Sequence, residues 1–221
     1  MNLDTRTAEP GSAPADVAPR GRSHRSAVTG AAVVATAVCA TAVALALVPA
    51  SAAGPDPAVA GDPITGDNVA DVLEMIRVAD AVDAAVDAKA WPTARALFTD
   101  TIDVDFTSLA GGEPATIPSD ALIEGWSANL AAEKTSFHQR TNHRVRFDGP
   151  DAATMTSEGY AWNRMEAGAD EANGGDPMWE VWGTYTHGFE RVDGAWRVAS
   201  MALDVAAQRG NGWVRDTVPG S

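Results

Sequence analysis

Along residues 68–89 apolar side chains recur at helical spacing without Gly or Pro, and Asp67 or Asn68 stands where a cap belongs. The pattern predicts a long first helix. Trp91-Pro92 breaks it, and Pro92 suits the first turn of a second helix over "PTARALFTD". The period then changes to two, because Ile102, Val104 and Phe106 alternate with Asp103, Asp105 and Thr107 in "TIDVDFTSL". That is a strand with one buried face. After the loop "AGGEPATIPSD", Ser119 or Asp120 opens a third helix with Leu122, Ile123, Trp126 and Leu130 along its apolar side. Four strand-like runs follow: "SFHQRTNHRVRFDG", "AATMTSEGYAWNRMEAG", "MWEVWGTYTHGFERV" and "AWRVASMALDVAA". Asp148-Gly149 and Asp193-Gly194 are hairpin signals, and "ADEANGGD" joins the middle pair.

Helix, helix, strand, helix and then long antiparallel strands define an α+β class: a curved antiparallel sheet wrapped round about three N-terminal helices, enclosing a pocket. The organised domain is expected over residues 67–210, behind a Gly/Pro-rich leader at 54–66 and ahead of a tail at 211–221.

The first 53 residues follow another pattern. Arg20, Arg22 and Arg25 precede an uncharged apolar run from Ala27 to Ala53, and Ala50-Ser51-Ala52 is a small-x-small cleavage signature. This is the order of a secretory signal peptide. The run is also about long enough to span a bilayer, so an uncleaved transmembrane helix that tethers the domain is the alternative. Either reading exports the domain. Cys39 is the only cysteine and lies inside this run, so the remainder is left without disulfides, thiol chemistry or a cysteine zinc site.

The chain carries a formal charge of −14, which becomes −15 once residues 1–52, with four arginines and three acids, are set aside. Nucleic acid is excluded as a partner on that balance. Of the four histidines, His138, His143 and His187 fall in the strand region, but their spacing matches no metal-ligand set. No metal and no cofactor are expected.

Three strings carry a family resemblance: "VDAKAWPTARALFTDTIDVDF", "FHQRTNHRVRFDGPDAA" and "GTYTHGFERVDGAWRV". Together they resemble the SnoaL-like branch of the nuclear transport factor 2-like superfamily, which includes scytalone dehydratase and ketosteroid isomerase. The resemblance covers residues 67–210 and implies the cone-shaped fold. By position it brings Asp87 and His138 to the places of an Asp–His pair that moves protons next to carbonyls. It also puts Asn163, rather than a second histidine, on the following strand. The substrate-binding tyrosines of scytalone dehydratase are absent, since Val86 precedes Asp87 and Phe106 ends the "DVDF" string, so that enzyme's own substrate is not expected here.

An aspartate beside an imidazole fixes its tautomer, leaving the other nitrogen to take or return a proton near neutral pH. Asp80, Asp83 and Asp87 fall on one side of the first helix, which reads either as a solvated face or as a helix end reaching a polar pocket. Strict alternation from Val145 and Phe147 turns Gln139, Thr141 and His143 inward and leaves His138 outside, whereas the resemblance requires His138 inside. A β-bulge near residues 142–144 would reconcile the two by turning His138 and Asn142 inward. The expected pocket lining is Phe106, Trp126, Asn142 and Trp182. His187 is expected at a surface or interface.

Two functions follow from this site. One is an exported module whose apolar pocket binds a small, largely apolar or carbonyl-containing molecule. The other is a cofactor-independent lyase or isomerase using Asp87, His138 and Asn163. A homodimer through the outer face of the sheet is a further expectation from the resemblance.

Overall fold

The structure is a computed structural model in which residues 57–166 and 175–219 are described. The secretory or anchoring run at 27–53 therefore lies outside the described residues, as does most of the "ADEANGGD" loop. Among the described residues no helix is long and apolar enough to cross a membrane.

Among the described residues, six helices and six strands follow in the order α1 (Pro57–Ala60), α2 (Val69–Asp87), α3 (Trp91–Arg95), β1 (Phe98–Asp105), α4 (Thr107–Ala110), β2 (Ala115–Pro118) and α5 (Ser119–Asn129). Then come β3 (Lys134–Phe147), β4 (Ala152–Met165), β5 (Met178–Val192), β6 (Ala195–Gly210) and α6 (Gly212–Asp216). The strands form one curved, unclosed sheet in the order β2-β1-β6-β5-β4-β3, antiparallel except for the parallel pair β1 and β6. Helices pack on one side of it, which is the α+β layout that the hydrophobic pattern predicts and the cone that the resemblance implies.

The inner side of α2 explains why the long helix stays put. Val72, Met75, Val78, Val82 and Val86 are buried against Phe98, Val145, Met155, Phe189, Trp196, Val198 and Met201 from the sheet. Burying a side chain of this size contributes about 1.5–3 kcal/mol. Alternation holds along the central strands, with Ala153, Met155, Ser157, Ala161, Asn163 and Met165 of β4 all buried.

Several boundaries move from their predicted places. The second helix stops at Arg95 and β1 begins at Phe98, because Phe98 is buried and pairs with Val198 of β6. Part of the expected loop before α5 forms β2, which extends the sheet by pairing with β1 and becomes its edge strand. Within the predicted leader, the Asp62 amide donates to Val145 O at 2.7 Å, and its carboxylate accepts the Phe147 amide at 2.8 Å. Gly61 makes this docking possible, since a Cβ there would stand 2.7 Å from Val145 O and its φ is +75°. The predicted tail contains α6, whose Val214 is buried with Ala161, Met165, Trp179 and Val181 in a second apolar cluster.

Candidate functional site

Between α2 and the inner face of the sheet lies a cavity of about 520 Å³. Apolar walls come from Val82, Val86, Phe106, Leu109, Trp126 and Trp179, and polar groups from Asp83, His138, Arg140, Asn163 and Tyr185. Phe106, Trp126, His138 and Asn163 are thus brought together in the cavity, with Asp87 directly behind His138.

The β3 strand sets this arrangement. Its register with β4 slips between Thr141 and Arg144, and Asn142 sits at the slip with φ +54°. This is a β-bulge in the predicted place. Before it, Ser136, His138 and Arg140 turn inward. After it, His143, Val145 and Phe147 turn inward too. Both histidines of β3 therefore share the inner face, and Asn142, expected in the pocket, is the residue sacrificed to the parity change and points to solvent.

Across from this strand, α2 presents acids at positions i, i+3 and i+7, which share one helix face. They meet β3 in antiparallel order: Asp87 faces His138, Asp83 faces Arg140 and Asp80 faces His143. Four helical residues rise about 6 Å and two strand residues about 7 Å, so Asp83 and Asp87 fall in step with Arg140 and His138.

His138 Nδ1 lies 2.7 Å from Asp87 Oδ1, while the His138 backbone amide donates to Oδ2 at 2.8 Å and Ser136 Oγ donates to Oδ1 at 2.9 Å. Lys89 in turn donates to Ser136 Oγ at 2.9 Å. Burial opposes charge on Asp87, but the hydrogen bonds and charge of His138, its amide and Ser136 outweigh it, and the carboxyl's pKa falls below its ordinary value. This matters because Asp87 ends α2, where the helix dipole disfavours an anion. An ionised Asp87 can only accept, so Nδ1 carries the proton and Nε2 is the nitrogen left for chemistry.

Asn163 is buried on β4, opposite Ser136 in the β3 register, and its Oδ1 has no hydrogen-bond partner among the described residues. Its capacity remains available to a ligand. Trp182 does not reach the cavity. Even-numbered residues in that part of β5 face outward, and its ring stacks on Tyr160 at 5.1 Å beneath the Arg209 guanidinium. Trp179, three residues earlier, takes the inward place.

His187 is not at a surface. It is fully buried on β5 between the rings of Tyr185 and Phe189, because β5 is flanked by β4 and β6 and its odd positions face the core. Burial, with Arg140 and His143 adding to it, pushes its pKa well below the ordinary histidine value, so the ring is neutral.

The buried Asp83–Arg140 pair escaped sequence reasoning, although two signals pointed to it. Asp83 shares the helix side of Asp87, and Arg140 shares the parity of His138, so a bulge that turns one inward turns the other. Lys134 was also missed. It is buried at the start of β3 and donates to Thr217 O at 2.7 Å and Asn129 Oδ1 at 3.2 Å, fastening the chain after α6. Burial pushes its pKa down to about 8.

Residues 67–202 match the sequence model of the SnoaL-like domain, and the chain belongs to that family. Among curated proteins, no sequence matches it. Among solved structures, the Kfla4162 protein from Kribbella flavida is similar at 27% identity and TM-score 0.61, over 66% of this chain and 97% of that one. A putative scytalone dehydratase from Novosphingobium aromaticivorans is similar at 19% identity and TM-score 0.57, over 66% and 91%. The hexachlorocyclohexane dehydrochlorinase LinA-type3 from Novosphingobium barchaimii is similar at 13% identity and TM-score 0.54, over 65% and 92%. The last two share the fold.

Proposed function

We propose that the domain is a lyase or isomerase that needs only its own side chains to move a proton on a small, largely apolar carbonyl compound. The observation that carries this reading is the 2.7 Å contact between Asp87 and His138 at the wall of an apolar cavity. His138 Nε2 takes a proton from the carbon beside the carbonyl, and the electron pair of that bond moves toward the carbonyl oxygen. Asp87 fixes the tautomer and balances the imidazolium that forms. Returning the proton to another carbon completes an isomerisation, whereas expulsion of a leaving group completes an elimination. Asn163 is placed to hydrogen-bond a second polar group of the substrate. A base of this kind supplies about 10²–10⁴ in rate.

Two neighbours of the same fold bear the names dehydratase and dehydrochlorinase, and their chemistry is of the elimination type. At these identities they supply the fold, and the dyad supplies the chemistry. The basic cluster and apolar run of residues 20–53 support export of the domain, cleaved or tethered.

The test is deuterium incorporation into 2-tetralone, a small ketone with acidic C–H bonds, followed by mass spectrometry in D2O. The full chain should accelerate exchange over buffer, and His138→Ala should lose that acceleration. Equal rates for the two proteins would leave only a binding module.

A further inference from the structure

One step deeper along β3 than His138, the cavity wall holds a second polar device. Arg140 and Asp83 are almost fully buried, at 3% and 9% exposure. The guanidinium meets both carboxylate oxygens: Nη2 donates to Oδ1 at 2.7 Å, and Nε stands 2.7 Å from Oδ2 as an ion-pair contact outside hydrogen-bond alignment. Its Cζ lies over the ring of Tyr185, 3.7 Å from the ring centroid. Gly159, the β4 partner of Arg140, makes room for that ring, since a Cβ there would stand 2.5 Å from it. One edge and one face of the guanidinium are thus fixed, and the group is rigid. Nε and Nη1 are both buried with no hydrogen-bond partner among the described residues; Nε is engaged in the ion pair with Asp83, Nη1 has no such contact with that carboxylate, and Arg140 lines the cavity.

A buried donor without a partner is costly in a folded protein, so its presence in a cavity wall points to an acceptor brought by a ligand. Charge decides which acceptor. Asp83 already balances Arg140, and a ligand carboxylate would place another negative charge beside Asp83 and Asp87 in a chain of net charge −14. An oxygen that is neutral when bound suits the pair better. The apolar walls and tryptophans suit the rest of such a molecule.

We propose that Arg140, held by Asp83 and Tyr185, receives the carbonyl oxygen of the ligand, so that the site selects neutral ketones and aldehydes over carboxylates and over hydrocarbons of the same shape. Its part in turnover rests on the function proposed above. As His138 takes the proton, the C–H pair becomes the enolate double bond and the carbonyl π pair moves to the oxygen, where Arg140 Nη1 meets the growing charge. Asn163 is then left for the second polar group.

Equilibrium dialysis of the full chain against three probes tests this: 2-acetylnaphthalene, its hydrocarbon isostere 2-isopropenylnaphthalene, and 2-naphthoate. The ketone should bind about tenfold more tightly than the isostere, with the carboxylate weakest. Replacing the pair together, Asp83→Leu with Arg140→Met, leaves no lone buried charge and should erase the ketone preference while keeping hydrocarbon affinity within about twofold. Equal binding of ketone and isostere by the wild type, tightest binding of the carboxylate, no saturable binding of the ketone, or a preference that survives the double substitution would each overturn the proposal. The wild-type comparison stands whether or not the double variant folds. If the wild type shows the ketone preference but does not accelerate proton exchange in 2-tetralone over buffer, the catalytic reading alone is sunk; if it accelerates exchange without a ketone preference, this proposal alone is sunk.

Discussion

His138 and His143 lie five residues apart on one strand, face the same interior and each meet an aspartate of α2, yet their surroundings differ. At His138 the contact is 2.7 Å and the carboxylate accepts two further hydrogen bonds. At His143 the distance is 3.5 Å, and the side chain of Asp80 is half exposed. The first aspartate is held by the fold, and the second is free to turn toward water. The lesson is that the residue types and even their facing are insufficient; what makes a proton-transfer pair is the satisfaction of the carboxylate behind the imidazole.

The comparison depends on β3 turning Arg140 inward together with His138 ahead of the bulge, so removing that buried charge should have the largest effect. Arg140→Met strands the buried Asp83 carboxylate and should cost about 3–5 kcal/mol, to be read from urea denaturation. A loss under about 1 kcal/mol would mean that this part of β3 does not face α2.

Next in size is the contrast between the two aspartates. Asp87→Asn removes an acceptor of three hydrogen bonds and should lower stability by about 1–3 kcal/mol. Asp80→Asn should change it by under about 0.5 kcal/mol, as for an exposed pair. Equal losses would erase the distinction. The pH dependence sharpens the same contrast. Because the folded pKa of Asp87 is depressed, the folded state binds fewer protons than the unfolded state, and its contribution is present above the ordinary value near 3.8 and lost as pH falls through the folded value. The stability gap between wild type and Asp87→Asn should therefore hold constant from neutral pH to about 5 and close below about 4.

Smaller still is the cost of the bulge conformation itself. At φ +54°, Asn142→Val should lose about 1–2 kcal/mol, whereas Asn142→Gly should stay within about 0.5 kcal/mol of wild type. Similar stability in the two variants would argue against a left-handed residue at this place.

The sequence made the order of elements and the Asp87–His138 pair legible, because periodicity locates elements and the family resemblance supplied the pairing. It also posed the conflict at β3 that only a bulge could resolve. Other features depend on information that periodicity lacks. Trp182 and Trp179 are both aromatic and differ only in strand parity. His187 looks polar in sequence and is buried because its strand is central. Residues 211–219 carry no strong helical pattern, and α6 forms because Val214 fills the second apolar cluster. Arg140 was readable in principle, since the bulge that turns His138 inward must also turn Arg140, but strict alternation from Val145 leaves both outside.

Base chemistry at His138 is tested most directly by the 2-tetralone exchange assay run on His138→Ala and His143→Ala side by side. The first variant should lose about 10²-fold or more of the acceleration over buffer, and the second should stay within about threefold of wild type. Equal losses, or a loss confined to His143→Ala, would contradict the assignment of the base to His138.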